Sequence, residues 1–142
     1  MIINFKGSKC FQLRLVLSIL SGREIQISDI RLKGNTVGLN EYEINLLKLI
    51  EKITNGTVYA INNTGTEINF KPGSLIGGKV EHECDPSRSI SYYLQCLFFL
   101  APFCRQPIEA ELTGVTNDCV DMSVDSYRLA AVPILNKILG KL

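Results

Sequence analysis

One order of apolar runs occurs twice along the chain, and that repetition limits the fold more than any single motif does. In the first half, Phe11 to Leu20 is mostly apolar and of helical length, and Ser21-Gly22 ends it. Ile25 and Ile27 then alternate with polar neighbours across Glu24 to Ile30, the pattern of a strand with one face covered. A glycine-containing loop, Lys33 to Gly38, leads to Asn40, a helix-capping residue with Glu43 at the capping-box offset. Ile44, Leu46, Leu47, Leu49, Ile50 and Ile53 make a wide apolar stripe at helical spacing, and Asn55-Gly56 stops it. Val58 to Ile61 and Glu67 to Phe70 flank Asn63-Thr64-Gly65-Thr66, a hairpin signature, and Pro72-Gly73 closes the unit.

The second half repeats the theme. Lys79 to Glu83 reads as a strand. Ser87 or Ser89 caps a helix carrying Ile90, Tyr93, Leu94, Leu97 and Leu100, which Pro102 ends. Ile108, Ala110 and Leu112 alternate with glutamates as in a half-buried strand. Ser123 opens a last helix carrying Val124, Ala131, Ile134, Leu135 and Ile138; Pro133 should kink it and Gly140 end it. Ile25 corresponds to Ile108 and Ile53 to Ile138, an offset of 83 to 85 residues. A helix between two strands implies a right-handed parallel crossover, and the hairpin adds antiparallel pairing. The expected class is therefore α+β, in α/β layers: repeated units of a mixed four-stranded sheet with two helices, sharing one core. Residues 1–73 form unit one and 74–142 an unfinished unit two, within one domain. The chain ends before strands that would complete the second sheet, the expectation for a fragment or short form of a longer protein.

Composition adds exclusions. The 142 residues are 46% apolar, enough for a layered core, and no apolar run is long enough to span a bilayer. The start, Met1 to Lys6, lacks the pattern of a secretory signal, so Asn55 and Asn62 read as turn residues rather than glycan sites. Five scattered cysteines without a Cys-x-x-Cys pair read as free thiols in a reducing compartment. Net charge is +1, but residues 1–33 hold six basic groups against two acidic ones. Lys6, Lys9, Arg14, Arg31 and Lys33 are thus the candidates for contact with RNA or another anion.

Few side chains suggest catalysis. His82 and Cys84 share one strand face but lack a second ligand pair, and no nucleophile is placed near this sole histidine. Asp118, Asp121 and Asp125 read as caps at the entrance of the last helix. Gly77-Gly78 reads as a tight turn between units. No catalytic residue, metal site or cofactor is expected.

Several landmarks stand in order: Gln12-Leu13-Arg14 with Leu17-Ser18, Ile30-Arg31, Gly38-Leu39, Thr64 to Gly73 with Gly77-Gly78, and Gly114-Val115-Thr116-Asn117. Together they resemble the RNA 3′-terminal phosphate cyclase superfamily. Thr54-Asn55-Gly56, Leu100-Ala101-Pro102-Phe103 and Gly114 to Asp118 resemble its cyclase-like ribosome-assembly branch. The departures fit that branch. The Glu-Gly-Gly-Gly-Gln of true cyclases is replaced by residues ending Gly7-Ser8-Lys9-Cys10-Phe11-Gln12, and Ile-Arg-Ala-Gly-Arg by Ile30-Arg31-Leu32-Lys33-Gly34. Tyr42-Glu43 stands where cyclases carry Gln-His, and their adenylylated histidine would lie past Leu142.

The resemblance implies an incomplete cyclase-like fold and a non-catalytic ribosome-biogenesis factor. It would act in pre-ribosomal RNA processing and small (40S) subunit assembly, within the small-subunit processome of the nucleolus. Its implied partners are a ribosome-assembly GTPase and other processome proteins, with pre-ribosomal RNA a further contact and no membrane. The alternative is an RNA-processing enzyme, a 3′-phosphate cyclase or an endonuclease, with its active groups further along.

Overall fold

The computed structural model describes residues 1–140, so the last two residues of the expected span, Lys141 and Leu142, lie outside the described residues. The chain begins with β1 (Ile3–Lys6), α1 (Phe11–Ser21) and β2 (Ile25–Ser28). β1 and β2 pair in parallel, with Ile3 opposite Ile25 and Phe5 opposite Ile27, so α1 is a parallel crossover that the sequence pattern did not foresee. Then come α2 (Glu41–Ile53), the two-residue β3 (Thr54–Asn55), β4 (Val58–Ile61), β5 (Ile68–Lys71) and the two-residue β6 (Ser74–Leu75). β5 pairs antiparallel with both β2 and β4, giving a mixed four-stranded sheet in the order β1-β2-β5-β4. The sequence pattern missed β1, whose four residues follow no turn signal, and the short β3–β6 pair.

The second half is β7 (Gly78–Glu83), α3 (Ile90–Leu100), a 3₁₀ turn (Ala101–Phe103) and β8 (Ile108–Thr113). β7 and β8 are parallel, so β-α-β recurs as in the first half, here as a two-stranded sheet. The 3₁₀ turn holds Pro102, where the helix pattern was expected to stop. Gly77 lies at φ +84°, and a Cβ there would sit 2.2 Å from the Gln106 carbonyl oxygen, so the chain needs glycine where this sheet begins.

Buried side chains of both halves form one continuous cluster. Leu46, Leu47, Leu49, Ile50 and Ile53 of α2 are wholly buried, as the stripe required. α2 also ties the halves together: Asn45 Nδ2 donates to the Glu83 carbonyl (3.1 Å) and Lys52 Nζ to that of Glu81 (2.7 Å).

The chain closes with α4 (Val124–Ser126), a π-turn (Tyr127–Ala131) and α5 (Val132–Leu139). The π-turn stands directly ahead of Pro133, so a widened turn adjoins the residue that has no backbone donor. The expected burial of this helix is not found: Ile134 is 59% and Ile138 74% exposed, and only Val124 packs on the core. Ala110 of β8 is likewise exposed, because the second sheet has only two strands.

Candidate functional site

A cleft of about 370 Å³ opens where the first turn of α1, the 31–43 loop and the start of α3 converge. Its floor is fixed from the backbone up. Cys10 has left-handed geometry (φ 54°) and opens α1, whose Gln12 side chain donates to the Tyr92 carbonyl at 2.5 Å. Gly38 at φ +81° lets the 31–43 loop touch the β4–β5 hairpin, and a Cβ there would lie 2.4 Å from the Thr64 carbonyl oxygen. Leu39 N–H donates to the Gly65 carbonyl at 2.8 Å. The hairpin tip thus sets the path of the loop that enters α2.

Two guanidinium groups face the cleft, and each already has a carboxylate. Arg31 donates to Glu43 Oε2 (2.8 Å) and Oε1 (2.7 Å) and to the Gly38 carbonyl (3.1 Å). The Glu43 side chain is 3% exposed, and its Oε2 also accepts from the Asn40 backbone N–H at 2.8 Å. The expected helix cap therefore doubles as the acceptor for Arg31. That bond raises the arginine pKa against an opposing burial effect.

Arg88 precedes α3 and donates to Asp121 Oδ2 (2.8 Å) and Oδ1 (2.5 Å). Its guanidinium lies 4.7 Å from the Tyr42 ring centre and 4.4 Å from that of Tyr92. The Asp121 bonds raise the Arg88 pKa, and burial raises that of the Tyr92 hydroxyl. Each of the two cations therefore has its own anion, and no uncompensated positive charge comes from them.

The aspartates were expected at the last helix; the structure corrects this. Asp118 Oδ2 accepts from Ser89 N–H (2.8 Å) and its Oδ1 from Asp121 N–H (2.7 Å), while Asp121 holds Arg88. Both serve the entrance of α3, because Gly114 packs against Cys84 and Ile90 and returns the chain to that helix. Asp125 stays in the first turn of α4.

The five basic candidates do not converge. Lys6 is exposed beside Asp29 at 3.7 Å, and Lys9 and Lys33 are exposed. Arg14 is half-buried, donating to the Gly7 carbonyl at 2.8 Å with its guanidinium 4.8 Å from the Phe5 ring centre. Arg31 alone of the five lines the cleft, already paired. Arg88 was missed, and its one sequence signal was its place just before the Ser89 cap.

His82 and Cys84 share a buried face, as alternation on a strand requires. His82 Nε2 meets Asn45 Oδ1 at 2.6 Å and Nδ1 meets Lys52 Nζ at 3.1 Å, while the ring packs 5.8 Å from Tyr93. Burial, then Lys52 and Lys48, push the imidazole down to about 4. Burial pushes the Cys84 thiol up to about 11. Among the described residues no three His, Cys, Asp or Glu side chains are grouped to hold a metal ion, and no helix is long and apolar enough to cross a membrane.

The family profile described as RNA 3′-terminal phosphate cyclase matches residues 3–142. The chain belongs to that family. Its relatives include RNA 3′-terminal phosphate cyclase-like proteins of mouse and human, each 45% identical over 135 residues, or 95% of this chain and 36% of each relative. The rRNA processing protein rcl1 of Schizosaccharomyces pombe is 39% identical over 133 residues, 94% of this chain and 37% of that protein. The chain thus spans a little over a third of the length of these relatives. Ahead of α1 this chain carries side chains at Ser8, Lys9 and Cys10, and the cleft arginines are both ion-paired.

Proposed function

We propose that this chain belongs to a non-catalytic ribosome-biogenesis factor acting in pre-ribosomal RNA processing and 40S subunit assembly. The observation that carries the reading is the 39% identity, over 94% of the chain, to a protein named for rRNA processing. The self-balanced cleft supports the non-catalytic part. A triphosphate needs unspent donors and positive charge, and here Arg31 is held by the buried Glu43 and Arg88 by the partly buried Asp121. The protein works in the nucleolus, within the small-subunit processome, and docks a ribosome-assembly GTPase and other processome proteins. Where it meets pre-ribosomal RNA, the exposed Lys9 and Lys33 reach phosphates, joined by Lys6 when it parts from Asp29, while Arg31 holds the fold.

Depleting the full-length protein from cells and probing ribosomal RNA on blots tests the role. Precursors of the small-subunit RNA should accumulate while large-subunit RNA matures normally. Unchanged small-subunit processing would remove the proposal.

A further inference from the structure

The sheet ends at β1, and no strand among the described residues covers its outer side. Ile3 N–H donates to the Glu24 carbonyl (3.0 Å) and Gly7 N–H to that of Ser28 (2.8 Å). Alternate residues of a parallel strand serve the same neighbour, so Ile3 and Phe5 spend their main-chain groups on β2, as does the Gly7 N–H. Asn4 and Lys6 therefore direct theirs outward. A bare edge of this kind is a template for another strand unless a proline, a bulge or a covering loop blocks it. β1 has neither a proline nor a bulge, and among the described residues no strand covers it; its one deterrent is the Lys6 side chain.

Beside this edge a groove of about 450 Å³ runs between β1 and α1. Ile3, Phe5 and Leu17 supply its apolar surface, and Leu17 is 55% exposed. Arg14 and Arg23 also line it, and no acidic side chain does. Arg14 spends one donor on the Gly7 carbonyl and keeps others of its five. Glu24 is turned to the opposite face, toward Lys71 at 3.5 Å. The groove is therefore apolar at its middle and cationic toward its ends. α1 rises ~10 Å from Arg14 to Ser21, close to the ~13 Å spanned by four residues of a strand.

We propose that the open edge of β1, with this groove, docks an extended acidic peptide that adds to the sheet as a fifth strand. Its main chain pairs with Asn4 and Lys6. Its groove-facing side chains read acidic, apolar, acidic at every second position, meeting Arg14, Leu17 and Arg23. Main-chain pairing supplies affinity, and the alternate side chains supply choice of partner. This site is separate from the Arg31–Arg88 cleft and does not depend on the ribosomal role.

The test titrates the whole chain into fluorescein-labelled Thr-Glu-Thr-Leu-Thr-Glu-Thr, capped at both ends, and reads polarisation. Saturable binding is expected, weakening by about tenfold in the Arg14→Glu/Arg23→Glu variant and at high salt. N-methylating the peptide amides that face β1 should abolish binding, and N-methylating the other set should leave it unchanged. This arm alters no protein residue, so it stands even if the variant misfolds. Equal loss with both methylated sets, or equal binding of the lysine-for-glutamate peptide, overturns the proposal. So does an oligouridylate that displaces the peptide and binds more tightly, which would make the groove an RNA surface.

Discussion

Glu43→Ala tests the physical basis of the cleft. The carboxylate accepts both Arg31 bonds and the Asn40 backbone N–H while only 3% exposed. Removing it leaves a guanidinium whose one remaining partner is the Gly38 carbonyl. Stripping one member from a buried ion pair costs ~3–5 kcal/mol, because the survivor keeps its desolvation penalty. The Arg31 side chain is 23% exposed, so water recovers part of that, and the lower end applies. Losing the helix cap adds ~1 kcal/mol. The total is ~3–4 kcal/mol, a large share of the ~5–15 kcal/mol typical of a domain. At ~2 kcal/mol per molar, the urea midpoint followed by circular dichroism should fall ~1.5–2 M. The Arg31→Met/Glu43→Leu double variant removes both charges and should recover to within ~1 kcal/mol of the parent. The two sites should then couple by at least ~2 kcal/mol in the cycle. Additive losses below ~1 kcal/mol each would mean that the pair is a solvated surface contact and that the reasoning fails.

Three further outcomes are expected. Gly38→Ala should lower the melting temperature through a loss of ~2 kcal/mol or more, since its Cβ would strike the Thr64 carbonyl at 2.4 Å; an unchanged melting temperature would contradict the close approach. The folded His82 pKa, about 4, lies below the ordinary 6.5, so the unfolded chain binds the extra proton between those values. Stability should therefore rise with pH from about 4 to 6.5 and fall away on acidification, and in His82→Leu that slope in denaturation curves should flatten. Leu47→Ala, at a wholly buried position, should cost ~2–5 kcal/mol in the same urea assay, whereas an effect below ~1 kcal/mol would contradict its place in the core.

Local signals made most of the fold legible. α1, α2, α3 and the β4–β5 hairpin follow from apolar spacing plus Asn40, Ser89 and Gly65, which act within a few residues of themselves. β1 was not legible: Ile3-Asn4-Phe5-Lys6 is a strand because β2 accepts it, and four alternating residues do not declare that alone. The exposure of Ile134 and Ile138 was equally hidden, since helical spacing marks an apolar face without saying what meets it. The site was the least legible part. Glu43 was seen as a cap but not as the partner of Arg31, 12 residues away. Arg88 and Asp121 are 33 residues apart and meet only because the Gly114 turn folds back on α3. Charge counting picked out Arg14 and Arg31 as candidate anion contacts; a buried carboxylate claims Arg31, while Arg14 gives the protein one hydrogen bond, to the Gly7 carbonyl.

The absence of cyclase chemistry is the central claim, and it meets its most direct test in one reaction. Full-length protein, ATP at about 1 mM and an RNA ending in a 3′-phosphate are incubated together, and the RNA end is resolved on a gel. The account predicts that the 3′-phosphate persists and that no 2′,3′-cyclic end forms. A cyclic product that depends on ATP, and that disappears in Arg31→Ala or Arg88→Ala, would contradict it.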